Sequence, residues 1–189
     1  MFKWNRLRKD YEGPRYKKAS EWWLSKIEHD TTQPIKYLEI GVFYGIHLFE
    51  IASIFPNASL FGIDPWIDYS EYSEYKGQQN TILDGFKRNL SKCPNNKRIQ
   101  AYRGLSNDIV PTFQNDFFDI IYVDGNHETD YVYKDGLMSF QKCKPGGYIV
   151  FDDSDWPQTI KGIQKFEEEL VDKIKIISDL KQQRIYRKI

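Results

Sequence analysis

Short apolar runs alternate along the chain with longer stretches whose apolar residues recur at helical spacing. Tyr37–Ile40 is the first such run, a buried strand closed by Gly41. Leu48, Ile51, Ala52 and Phe55 follow at i, i+3, i+4 and i+7, a helix stopped by Pro56-Asn57. Ser59–Ile63 is a second strand, ending at Asp64-Pro65. The spacing predicts a helix from Asn80 to Leu90, a turn at Pro94–Asn96 and a third strand from Arg98 to Tyr102, with Gly104 just beyond it. Phe118–Val123 is the fourth strand, Thr129–Cys143 a helix capped by Lys144–Gly147, and Tyr148–Phe151 the fifth strand. Ile160, Ile163 and Leu170 mark another helix, with Pro157 near its first turn. Lys173–Ile177 and Arg184–Ile189 alternate as a terminal antiparallel hairpin. Ahead of all this, Ala19, Trp22, Trp23 and Ile27 predict an amphipathic helix over 16–29.

Strands alternating with helices mean an open, mostly parallel α/β sheet, to which the hairpin adds an antiparallel strand. Residues 66–78 break the rhythm. They are polar and tyrosine-rich (Asp68, Tyr69, Tyr72 and Tyr75 among them), without a period, and read as either a lid over the site or a surface loop.

Composition adds bounds. With 189 residues the chain suits one domain around one sizeable core. Lys plus Arg and Asp plus Glu both number 27, so no global charge points to nucleic acid or to a membrane surface. The one basic stretch, Lys3 to Lys18, reads as a solvated leader, which sets residues 1–34 (leader and helix) apart from a domain over 35–189. Cys93 and Cys143 have no metal-like spacing and read as free thiols. No secretory h-region and no bilayer-length apolar run is visible, so the cytoplasm is the expected location. Trp4, Trp22 and Trp23 leave open packing on the domain or on a second copy, a possible homodimer.

The chemistry gathers at the strand ends. Asp124-Gly125-Asn126-His127 closes the fourth strand and Asp152-Asp153 the fifth. If these strands are parallel neighbours, their ends lie about 5 Å apart and three carboxylates share one edge. Such crowding is unfavourable unless a cation or protons neutralise it. A histidine beside it suits proton transfer next to a hard metal ion. The plainer reading of the acids is capping and turn-making, and of His127 a helix-capping or cofactor-positioning role. Gly41 and Gly45 bracket the turn from the first strand into its helix, whose N-terminus presents free amides. Asp64 follows the second strand, where an acid can accept both ribose hydroxyls of a nucleoside cofactor. The loop lacks the middle glycine of G-x-G-x-x-G, which disfavours a dinucleotide.

Taken together, Glu39–Gly45, Gly62–Trp66, Arg103–Ser106, Asp124–His127 and Lys144–Asp153 resemble the motifs of class I S-adenosylmethionine-dependent methyltransferases. The last two narrow the resemblance to the macrocin-type O-methyltransferases, which act on sugar hydroxyls of natural products. It covers roughly residues 35–189. The resemblance implies a Rossmann-like, doubly wound sheet of seven strands in the order 3-2-1-4-5-7-6. It implies S-adenosylmethionine held by Glu39, Gly41, Gly45, Asp64, Pro65, Trp66, Gly104, Leu105, Ser106 and Asp124. It implies a divalent metal, Mg2+, on Asp124, Asp152 and Asp153. In some sugar-acting relatives the position of Asn126 carries a carboxylate base. Asn126 cannot take a proton, and His127, with Asp124, is the catalytic candidate instead. The expected acceptor is a small molecule or glycan hydroxyl, with a catechol as the alternative. No nucleic-acid or membrane partner is expected. The rival classes are a nicotinamide-dependent oxidoreductase and a non-catalytic partner protein on the same fold.

Overall fold

The computed structural model describes residues 10–14, 19–68, 73–179 and 182–189. After a short helix α1 (Ala19–Leu24), the chain runs β1 (Lys36–Ile40), α2 (Ile46–Ile54), β2 (Ser59–Asp64), α3 (Gln79–Lys92) and β3 (Ile99–Arg103). It continues through α4 (Ser106–Ile109), β4 (Phe118–Val123), α5 (Thr129–Lys142), β5 (Cys143–Phe151) and α6 (Pro157–Glu169), and ends on β6 (Ile174–Ser178) and β7 (Arg184–Lys188). The strands form one seven-stranded sheet in the order β3-β2-β1-β4-β5-β7-β6. β1 to β5 are parallel, and β7 pairs antiparallel with both β5 and β6. Among the described residues, no helix is long and apolar enough to cross a membrane.

Both faces of the sheet are covered, which is why its central strands read as continuous apolar runs. The two-residue period sorts them into two cores. Tyr37, Tyr122, Val150 and Ile185 point to one side, with Trp23 of α1, Leu48 and Ile51 of α2 and Phe86 of α3. Leu38, Ile121, Ile149 and Tyr186 point to the other, with Val132 of α5 and Ile163 and Phe166 of α6. Gly136 lets α5 lie close on α6, because a Cβ there would meet the Phe166 ring at 2.8 Å. Pro157 opens α6, where its missing N–H costs no helical hydrogen bond.

Local differences from the sequence reading have identifiable causes. β5 begins at Cys143, so Lys144–Gly147 lies inside a strand. Cys143 pairs with Phe118 but Tyr148 with Ile120, a bulge that takes up the extra residues, with Gly146 at φ 79°. Lys144 is anchored there by an ion pair of 2.6 Å to Asp119. The α4 turn has no apolar period and was not predicted. Helix α1 is shorter than the stretch 16–29, of which residues 16–18 lie outside the described residues. So do Tyr69 and Tyr72 of the excursion and Trp4 of the leader. Within the excursion, the Asp68 carboxylate accepts the Gly77 amide at 2.9 Å, and Tyr75 packs edge-on against Phe43.

The segment before α1 is tied to the same domain. Tyr11 and Trp23 are core residues. Glu12 makes a two-pronged pair with Arg88 of α3 at 2.8 and 2.7 Å. Buried Asn89 accepts from the Glu12 amide and donates to the carbonyls of Glu12 and Tyr44, joining this segment to the loop between β1 and α2.

The sheet's hydrogen bonding continues one residue past its strands. Gly41 N–H donates to Ile63, Asp124 N–H to Ile40 and Asp152 N–H to Val123, at 2.8–3.0 Å. Gly41 sits at φ 91°, and a Cβ there would lie 1.8 Å from the Asp124 carbonyl oxygen. Gly41→Ala therefore combines backbone strain with a backbone clash. We expect a loss of about 3 kcal/mol or more, a fall in melting temperature of roughly 6–12 °C by thermal unfolding. Gly77→Ala, at φ 74° with nothing within 4 Å, carries the strain alone and should cost clearly less.

Candidate active site

The strand order reverses between β1 and β4, and at such a switch point the loops leaving the sheet diverge and open a crevice. Gly104, Asp64, Gly41, Asp124 and Asp152 are the residues at or just beyond the ends of β3, β2, β1, β4 and β5. Hydrogen bonding across the strand ends sets them in a row.

On the β1–β2–β3 side, the loop Gly41–Gly45 turns into α2. Gly45 is left-handed (φ 78°) and supplies no side-chain cap, so the first amides of α2 have no capping group. Phe43 is also left-handed, at φ 53°. Asp64 braces this turn: one carboxylate oxygen accepts the Phe43 amide at 2.8 Å, the other the Trp66 amide at 2.7 Å. Burial pushes the Asp64 carboxyl up, and these amides pull it back. The Val42 amide also lowers it, and the carboxylate keeps acceptor capacity for a hydroxyl donor. Trp66 is a core residue, and its indole N–H donates to the Phe43 carbonyl at 3.0 Å. Pro65 follows Asp64 directly, and the Pro65 and Trp66 carbonyls face the Arg103 guanidinium at 3.4 and 3.5 Å. The space at Gly41 and Gly45 is filled by protein, by the Asp124 backbone and by the Phe49 and Phe86 rings. The glycines thus let the loop pack this closely.

Ser106 begins α4, after Gly104 and the exposed Leu105, and its hydroxyl donates to Asp135 of α5 at 2.6 Å. Burial raises the Asp135 carboxyl to about 6, against the Ser106 hydrogen bond, which lowers it.

On the β4–β5 side the acids separate. His127 is buried, and its Nε2 lies 3.2 Å from Asp153 and 3.7 Å from Asp124, both about one-third exposed. These three offer ligand atoms within 4.8 Å of one another. Asp152 turns elsewhere: it accepts from the Tyr122 hydroxyl at 2.6 Å and from the Gln183 amide at 3.2 Å. The divergence follows from the backbone. Asp152 still belongs to the ladder, whereas Asp153 has left it at φ 45°. Neighbours in a strand point opposite ways, and the left-handed turn sends only Asp153 towards His127. Packing raises the Asp124 carboxyl, the charge of Asp152 adds to this, and His127 opposes it. Burial likewise raises Asp152, and the Tyr122 hydrogen bond lowers it. Asn126 is a turn residue whose side chain accepts the Glu128 amide at 2.8 Å.

Between the two sides lies a pair that the sequence reading had not joined. Glu39, buried in β1, accepts from the Tyr37 hydroxyl at 3.1 Å and pairs with His47 Nδ1 at 2.8 Å. The indole N–H of Trp23 faces His47 Nε2 at 3.4 Å, and the His47 ring lies 4.1 Å from that of Tyr122. Burial pulls the His47 imidazole down, but Glu39 outweighs it and the net shift is upward. The eight-residue gap from Glu39 to His47 was the available signal, since it joins a strand end to the first turn of the next helix.

Residues 38–154 match the family model described as a methyltransferase domain, and the chain belongs to that family. It is 30% identical over 140 residues to uncharacterized protein R132 of Acanthamoeba polyphaga mimivirus, a match covering 72% of this chain and 61% of that protein. The chain therefore spans about three-fifths of this relative's length. Among solved structures, a candidate O-methyltransferase from Klebsiella pneumoniae superposes with a TM-score of 0.67 at 15% identity, over 98% of this chain and 89% of that one. The MycE methyltransferase of the mycinamycin biosynthetic pathway, solved with Mg and SAH, gives 0.64 at 19% identity, over 98% and 54%. At these identities the likeness is one of fold.

Asp135 provides a test of the site's internal electrostatics. A carboxyl raised to about 6 in the folded state and ordinary in the unfolded state contributes stability below pH 4 that is lost as pH rises through 6. Asp135→Asn keeps an acceptor for Ser106 and removes that titration. Stability against pH should show the variant gaining on the wild type between pH 4 and 6, a relative gain by pH 7 on the order of 3 kcal/mol over its standing below pH 4. Parallel pH profiles would disprove the assignment.

Proposed function

We propose that the protein is an S-adenosylmethionine-dependent O-methyltransferase that methylates a hydroxyl of a sugar or glycan with the help of Mg2+. The observation that carries this reading is His127 set against Asp124 and Asp153 at the switch point of the sheet. Membership of the methyltransferase-domain family supports it, as does the fold shared with MycE, whose structures hold Mg and SAH.

The residues present fit both groups. Asp64 keeps lone pairs for ribose hydroxyls, the start of α2 offers backbone amides, and exposed Ile67 and Leu105 stand just beyond β2 and β3 as apolar surfaces for a base. Glu39, held by Tyr37 and His47, supplies negative charge suited to an amino group. The cofactor would supply a methyl group already activated by its sulfonium charge. Mg2+ is commonly held by one or two carboxylates and keeps several waters, a need that Asp124 and Asp153 meet. When bound, it would lower the pKa of an acceptor hydroxyl and fix its direction.

The chain's own residues do the rest. The acceptor oxygen must be aligned with the methyl carbon, and alignment alone can contribute about 7 kcal/mol or more. His127 is placed to take the acceptor's proton. Asp124 and Asp153 stabilise the resulting imidazolium, which is otherwise costly at a buried position. Asp152, anchored by Tyr122 and Gln183, adds negative charge next to Asp124 and ties the β7 end to the site.

The cofactor is tested by thermal unfolding. S-adenosylhomocysteine at 100 times its dissociation constant should stabilise the protein by about 2.7 kcal/mol, a rise of several degrees, and NAD should not. A response to NAD alone would replace this reading with an oxidoreductase. Methyl transfer to a pyranoside acceptor, followed as S-adenosylhomocysteine release, should vanish with a chelator and return with Mg2+. Asp153→Asn should behave as the chelated wild type does, and full turnover in chelator would remove the metal. His127→Ala should cut turnover about 100-fold or more while S-adenosylhomocysteine still binds. An unchanged rate would assign His127 a structural role.

A further inference from the structure

Eight large apolar side chains are exposed among the described residues. Four of them, Ile67, Leu105, Tyr131 and Trp156, follow the carboxyl ends of β2, β3, β4 and β5 in turn. Exposed apolar side chains beside a candidate site are candidate ligand contacts. Ile67 and Leu105 stand on the Asp64 side. Trp156 stands on the other, and nothing in the proposed chemistry uses it.

Trp156 is built into the site. Its indole packs on the His127 ring with centroids 4.7 Å apart and planes 38° from parallel. Its backbone is held on both sides: its amide donates to the Asp153 carbonyl at 3.0 Å, and its carbonyl accepts the Ile160 amide at 2.9 Å, in the first turn of α6. Pro157 stiffens the next position. Yet the residue is 40% exposed, whereas Trp23 and Trp66 are in the core. A half-open indole, its backbone held on both sides, packs on the histidine that Asp124 and Asp153 face.

We propose that Trp156 is a recognition residue for the methyl acceptor, its open face taking the C–H face of a pyranose ring. This rests on the methyltransferase reading above. The class of acceptor follows from the surroundings. Pockets for flat apolar ligands are lined mostly by hydrophobic and aromatic groups with few polar ones. Here one indole is accompanied by Asp124, Asp153 and the exposed Asp155. Carboxylates only accept hydrogen bonds, so they suit a ligand with several hydroxyl donors. A pyranose presents those donors at its edge and an apolar C–H face beside them. Stacked on Trp156, it has its hydroxyls next to His127. Trp156 touches the acceptor and takes no proton.

The test is saturation-transfer NMR on the full chain with S-adenosylhomocysteine and Mg2+ present. The probes are the methyl glycosides of glucose, galactose, mannose, rhamnose and fucose, with catechol as the flat comparison. In the wild type at least one glycoside should show transfer strongest at ring C–H protons. Trp156→Ala should weaken it about tenfold, Trp156→Phe should restore most of it, and S-adenosylhomocysteine affinity should not move in either variant. Equal glycoside binding by the wild type and Trp156→Ala would overturn the assignment. So would binding of catechol alone, or of no probe, by a protein that binds S-adenosylhomocysteine. A wild type that fails to bind S-adenosylhomocysteine would instead defeat the underlying methyltransferase reading.

Discussion

The contact between Gly41 and the Asp124 carbonyl is the constraint on which the site depends. Here the β1 turn and the β4 loop pass within a distance that leaves no room for a Cβ. The contact lies at the reversal of strand order, where parallel connections diverge and a crevice must open. With that approach allowed, the ladder runs on past the strands and sets the end residues of five parallel strands along one edge. Asp64 then uses both oxygens to hold the Gly41–Gly45 turn, and a potential ligand group also serves as a brace.

The same alignment concentrates negative charge. Asp124, Asp152 and Asp153 would repel one another if all pointed to one spot. The fold divides them: Asp152 is neutralised in part by the Tyr122 hydroxyl and the Gln183 amide, while Asp124 and Asp153 share His127. Burial raises the Asp124 carboxyl, and the charge of Asp152 adds to that. A site poised in this way gains from anything that brings positive charge, either a proton on His127 or a divalent cation.

Two polar networks connect the ends of the chain to this edge. Trp23, His47, Glu39 and Tyr37 link α1 to β1 and α2, and Gln183, Tyr122 and Asp152 link the start of β7 to β4 and β5. The His47 and Tyr122 rings pack between them, tilted and 4.1 Å apart. Buried networks of this kind are costly when half-satisfied, so they tend to lock their elements in one arrangement. The N-terminal segment and the C-terminal hairpin accordingly take part in the architecture of the site.

The succession of strands and helices, the central helices to within a few residues and the hairpin at the end were all legible in the amino-acid sequence, because burial on both faces and helical spacing are local patterns. So were the acids and glycines at the strand ends, since they interrupt those patterns; the strand order came with the family motifs. The different fates of Asp152 and Asp153 were not legible, because they turn on one left-handed residue and on a glutamine 31 positions away from Asp152. Nor was the pairing of Glu39 with His47, or the stacking of Trp156 on His127, since partners across a loop are chosen by the packing of whole elements. By itself the sequence determined which elements form and which residues stand at the edge of the sheet. Only the tertiary structure decided which of those residues face each other, because that depends on backbone turns and long-range contacts that no local pattern encodes.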